Sequence, residues 1–121
     1  MISDVVLAVE NHFFNNWTDS EVNYEQPNFT AAGTEWVEVV VIPLLSENNS
    51  LENCTTENFE LHTLVYSENK VKAAALVDKV VTFLQNTEIE MLRIKGWGIL
   101  ANGNLENSNT YFYKIFFNCQ A

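Results

Sequence analysis

At 121 residues, 47% of them hydrophobic, the chain is long enough for one core and too short to divide comfortably into two domains. Its 16 acidic and 6 basic residues leave a formal charge of -10, which argues against wrapping a phosphate backbone. Cationic contacts that would release counterions are scarce, and the net field repels DNA. An acidic protein can still stand beside DNA without binding it, as the wall of a conduit would, or can simply be soluble.

From Ser3 to Asn15, Val5, Val6, Val9 and Phe13 fall on one helical face, and Ser3 is a suitable N-cap. Asn15-Asn16-Trp17-Thr18-Asp19-Ser20 ends that helix, and Val22, Tyr24 and Gln26 alternate as a short strand stopped by Pro27. Trp36 to Ile42, with Glu35 and Glu38 near its start, is the next strand. It is β-branched at nearly every position, which predicts cover on both faces over its second half, and Pro43 ends its ladder for want of an N–H. The stretch from Ser46 to Glu57 has only Leu51 and Cys54 as apolar members and reads as a solvent-exposed loop, longer than a hairpin needs.

Phe59 to Tyr66 is a return strand, with Phe59, Leu61, Thr63 and Val65 on one face and Glu60, His62, Leu64 and Tyr66 on the other. The clearest helix runs from Lys70 to Leu84. There Ala73, Leu76, Val77, Val80, Val81 and Leu84 repeat at helical spacing, and the alanines at 73 to 75 permit close approach to a sheet. Met91 to Leu100 and Tyr111 to Cys119 are strand-like runs. Glycines at 96 and 98 predict a bulge or bend in the first, and the stretch from Ala101 to Asn109, with Gly103, predicts a turn after it. Tyr111, Tyr113, Ile115 and Phe117 fall on one side of the last strand, and Phe112, Lys114, Phe116 and Asn118 on the other. That is more aromatic surface than a chain this small readily covers, so Tyr111, Tyr113 and Phe116, with Leu51 and Cys54 of the long loop, are candidate oligomer contacts; two-sided core positions are the alternative. The fold class that follows is α+β: an N-terminal helix, a mixed or antiparallel sheet of about five strands, and one central helix packed on the sheet.

Chemistry is sparse. His12 and His62 are far apart in sequence and lack a cysteine or carboxylate at ligand spacing, although Glu60 and His62 project to one strand face. Gly96-Trp97-Gly98 lacks the spacing of a phosphate loop and reads as a strand bend, and the three tryptophans share no spacing that would mark a stacking platform. Four Asn-x-Ser/Thr triplets begin at Asn16, Asn28, Asn48 and Asn53, but asparagine is abundant and Met1-Ile2-Ser3-Asp4 has no basic segment of an export signal. Cys54 and Cys119 are therefore expected to be reduced. No enzymatic activity, cofactor or metal is expected, and no stretch approaches a membrane span.

The order of these elements, with Tyr24-Glu25-Gln26-Pro27-Asn28-Phe29 after the first strand and Val40-Val41-Ile42-Pro43 closing the second, resembles the tail terminator (tail completion) proteins of long-tailed bacteriophages. The resemblance covers nearly the whole chain. It departs from the family before the central helix, where glycines are usual and this chain has Ser67-Glu68-Asn69-Lys70; that connection must be shaped differently or by Asn69 in a left-handed conformation. The resemblance implies a virion structural protein that acts without bond chemistry, in the tail and, during assembly, in the host cytoplasm. Its copies would form a ring, hexameric in the family, that caps the tail tube protein, stops tube polymerisation and presents the head-tail joining surface to a connector or neck protein. DNA would pass through without specific binding, and Glu47, Glu52, Glu57 and Glu106 are the candidate acidic residues of the lumen. A head-tail connector or neck completion protein is the alternative of the same class. A small-ligand-binding α+β domain is the alternative of another.

Overall fold

The computed structural model describes residues 2–26, 29–44, 58–85, 87–90, 92–105 and 108–120, and the backbone of 47–49 and 54–56. Helix α1 spans Ile2–Asn16 and helix α2 spans Lys70–Leu84. The strands are β1 (Glu21–Asn23), β2 (Glu35–Pro43), β3 (Glu47–Asn49), β4 (Cys54–Thr56), β5 (Asn58–Ser67), β6 (Glu88–Ile89), β7 (Leu92–Asn104) and β8 (Tyr111–Gln120). Six of them form one mixed sheet in the order β1-β2-β5-β8-β7-β6, and β3 pairs with β4 separately. Only β1 and β2 run parallel; the other pairs are antiparallel. The α+β expectation holds, with one strand more in the main sheet than the five expected.

Both helices lie on one face of this sheet. Val5, Ala8, Val9 and Phe13 of α1 and Leu76, Val77, Val80, Val81 and Leu84 of α2 share one core cluster with Val37, Val39, Phe59, Leu61, Val65, Leu92, Ile94, Ile115, Phe117 and Cys119. Alternation carries this arrangement: in β5 and β8 the odd-numbered residues reach the helices, so a one-residue slip would move every core side chain to the other face. His12, Phe13, Trp17 and Phe83 close the junction of the helices, with ring centroids 4.8 to 5.9 Å apart. Among the alanines of α2 only Ala73 is buried; Ala75 is exposed.

Several local expectations change. Helix α1 already includes Ile2, so Ser3 lies within it and is not its cap. Strand β1 ends at Asn23, short of Gln26, because the Asn23 side chain takes the Gln26 N–H at 2.8 Å and Glu25 turns into a positive φ of 60°. Asn69 is extended, not left-handed, and caps α2: its Oδ1 accepts from the N–H groups of Val71 (2.8 Å) and Lys72 (3.2 Å). The loop expectation for Ser46 to Glu57 gives way in part to the pairing of β3 with β4, while the exposure of its side chains lies outside what is described. Strand β7 continues through the expected turn to Asn104, since Ala101 to Asn104 pair with Lys114 to Tyr111. The expected bulge is present, as register shifts between Ile94 and Gly96 and between Ile99 and Ala101. Strand β2 has helices over one face only, and Val40 and Ile42 on the other are half-buried.

Candidate functional site

The sheet face turned away from the helices is built in rows set by the register. Trp36, Tyr66, Phe112 and Gly103 form one; Glu38, Leu64, Lys114 and Ala101 the next; then Val40, His62, Phe116 and Gly98; then Ile42, Glu60, Asn118 and Gly96. Every β7 position in these rows is glycine or alanine, and the β8 aromatics use the space. A Cβ on Gly98 would stand 2.6 Å from the Phe116 ring, and one on Gly103 would stand 3.5 Å from the ring of Phe112. Trp36 and Tyr66 stack at 4.9 Å with planes 14° apart. No helix covers this face among the described residues.

At the β1–β2 end the face deepens into an open groove of about 760 Å³, lined by residues that include Glu25, Phe29, Trp36, Glu38, Tyr66 and Leu105. Its outer wall includes Phe29 to Gly33, latched at one end: the Glu21 carboxylate accepts the N–H groups of Ala32 (3.0 Å) and Gly33 (2.7 Å). Burial, and secondly the charge of Glu25, pushes the Glu38 carboxyl above its ordinary range. Burial followed by the charge of Glu38 raises the Tyr66 phenol in turn.

A second feature lies at the other end of the sheet. Beyond Leu92 and Arg93, which β6 covers, β7 has no strand on its outer side among the described residues. Along this free edge Trp97, Ile99 and Leu100 are 41%, 51% and 51% exposed. At the opposite end β1 covers β2 only from Trp36 to Glu38, leaving Val39 to Pro43 without a strand beyond it among the described residues.

The candidate contact residues are not gathered on one surface. Tyr111 and Tyr113 stand on the helix side of β8, Tyr113 against the core, and Phe116 is on the opposite face. Leu51 lies outside the described residues, as do Glu52, Glu57 and Glu106; Glu47 and Cys54 are placed by backbone alone, in β3 and β4. Sequence reasoning missed Trp36, Glu38 and Tyr66 as a group, and Ile99 and Leu100 as an exposed strip. The aromatic–acid–aromatic set emerges only once register puts position 36 opposite 66.

His62 Nε2 lies 2.8 Å from Glu60 Oε1, so the pair anticipated on one strand face does form; no third His, Cys, Asp or Glu completes a metal cluster there among the described residues. Burial lowers the tendency of His12 to protonate and pushes the Cys119 thiol up to about 11, where it is inert as a nucleophile at neutral pH. Among the described residues no helix is long and apolar enough to cross a membrane. Neither protein-family models nor curated protein sequences match this chain.

Proposed function

We propose that this chain is the subunit of a tail-terminating ring of a long-tailed bacteriophage. Its work is self-association plus two docking faces, one for the end of the tail tube and one for the head-tail connector. The observation that carries the reading is the free edge of β7. A strip holding Trp97, Ile99 and Leu100, beside backbone that no strand pairs on its outer side among the described residues, is costly to leave in water on an isolated subunit, and association relieves that cost. The order of the elements supports it as well: helix, Pro43-terminated strand, excursion, return strand, helix and terminal strand pair follow the pattern of the tail terminators.

The two open edges of the sheet are unlike each other, so a contact between them is heterologous, and repetition closes a ring when the rotation per subunit allows. The charge of -10 per subunit gives such a ring a strongly negative field, through which DNA passes by repulsion from its walls. Light scattering and electron microscopy of the purified protein, alone and mixed with sheared tail tubes, test the reading. Rings are expected in one of the two samples, and Ile99→Lys should abolish them while the subunit stays folded. A wild-type subunit that remains monomeric even with tube ends present, or that binds DNA tightly and salt-sensitively, would refute it.

A further inference from the structure

The groove beside Trp36 places two carboxylates near each other and against aromatic surface, with no cation paired to either among the described residues. The ion pairs formed among the described residues are His62–Glu60, Lys79–Asp19 and Arg93–Glu88, so none involves Glu25 or Glu38. The cation nearest Glu38 in its own row is Lys114, and Leu64 stands between them. A second negative charge beside the partly buried Glu38 carboxylate costs free energy, and the pair persists more readily where a ligand supplies the opposite charge.

We propose that this groove is the docking site for an extended segment of another protein that carries arginine or lysine, its cationic group seated between Glu25 and Glu38 against the Trp36–Tyr66 pair. Three observations converge on that occupant. First, a cavity of about 760 Å³ is of the size that holds several side chains, and it is open along one side, as an extended chain requires. Secondly, the stacked indole and phenol are π surfaces, which attract a guanidinium or ammonium group over and above the carboxylates, arginine more than lysine because its planar group stacks as it pairs. Thirdly, the wall is preformed. The Glu21 latch at 2.7 and 3.0 Å fixes Ala32 and Gly33 and the Asn23 turn at 2.8 Å fixes Gln26 before any ligand arrives, so these lining residues spend little ordering entropy on binding.

Charge decides between a foreign segment and a second copy. The acidic groove selects a basic segment, and a chain with 6 basic against 16 acidic residues has few cationic side chains to offer it from a second copy. The same sign disfavours nucleic acid. The inference goes beyond the ring reading and does not depend on it: a monomer with this groove binds the same segment.

The test uses the full chain and two peptides, acetyl-Gly-Arg-Arg-Gly-amide and the same peptide with citrulline for arginine. Citrulline keeps the shape of the arginine side chain and removes its charge. Affinity is followed by calorimetry and by tryptophan fluorescence, with light scattering on the same samples. The arginine peptide is expected to bind at least tenfold more tightly than the citrulline peptide, and to weaken as salt rises. Glu38→Gln and Glu25→Gln are each expected to reduce that affinity about tenfold, and Trp36→Leu to remove most of the fluorescence response. Because Glu25 lies on an exposed loop, Glu25→Gln keeps the test alive if the strand variant folds poorly. Equal affinity for the two peptides, or binding unchanged in both glutamine variants, overturns the proposal. So does self-association of the wild type that Glu38→Gln abolishes, since the groove would then belong to a second copy.

Discussion

Gly98 and Phe116 face each other across β7 and β8, and replacing the glycine by alanine should reveal how tightly that face is packed. The added methyl would sit 2.6 Å from Phe116 Cε1 and 2.9 Å from Cζ, well inside contact distance, with His62 occupying the place on the other side of the ring. Overpacking of this kind costs about 1–3 kcal/mol. Against it stands a gain of about 0.5–1 kcal/mol from removing a flexible glycine from a strand interior. Gly98→Ala is therefore expected to lower stability by about 1–2 kcal/mol in the wild-type background and to raise it by about 0.5 kcal/mol once Phe116→Ala has cleared the space. Urea unfolding of the four proteins of this double-mutant cycle measures the difference, with a coupling of about 1.5–2.5 kcal/mol expected. Additive effects, within about 0.5 kcal/mol, would mean that the ring moves aside freely and that this face is not packed by its glycines.

Three further outcomes are expected. Asn69→Ala should cost about 1 kcal/mol by leaving the Val71 and Lys72 N–H groups without their acceptor, while Asn69→Asp, which keeps an oxygen there, should cost much less; thermal melts that rank the two equally would remove Asn69 as the cap of α2. Thr63→Val should raise stability by about 1 kcal/mol in denaturant titration, since the buried Thr63 hydroxyl has no partner among the described residues and valine keeps its shape; destabilisation would reveal a bond to that hydroxyl. Glu38 takes up its proton more readily in the folded protein than in the unfolded chain, so its contribution is most favourable at low pH. It is lost as pH rises from the ordinary carboxylate value, 4.5, through the raised folded value. Glu38→Gln should therefore gain stability relative to wild type as pH climbs from 4 to about 7, and a difference that stays flat with pH would count against the assignment.

The parts legible in the sequence are those that one face and one periodicity decide. Helix α2 begins and ends where its apolar spacing predicts, because Ala73, Leu76, Val77, Val80, Val81 and Leu84 all meet the same sheet. The buried face of β5 follows directly from alternation. What the sequence hides is pairing that depends on distant residues. Ala101-Asn102-Gly103-Asn104 has the composition of a turn and is strand only because Tyr111 to Lys114 lies alongside. The β3–β4 hairpin shows no apolar alternation to announce it. Strand β2 reads as covered on both sides, since Val40 and Ile42 are as apolar as Val37 and Val39, and nothing in those residue types reveals that the helices choose one face. The groove is hidden for a related reason: Glu25, Trp36, Glu38 and Tyr66 carry no motif, and only the register and the Glu21 latch assemble them.

The place of β8 in the sheet has a consequence for the order in which this molecule is made. Strand β8 is synthesised after every other strand, yet it sits between β5 and β7 and hydrogen-bonds to both, pairing Asn58 with Gln120 and Asn104 with Tyr111. Until it arrives, β1, β2 and β5 are one fragment and β6 and β7 another, each with a raw apolar edge and no means of joining. A nascent chain therefore passes through a stage in which local helices are available but the sheet is not, and closure waits on contacts between distant residues. Those exposed edges, more than any weakness of the finished core, are where premature pairing between newly made chains would begin.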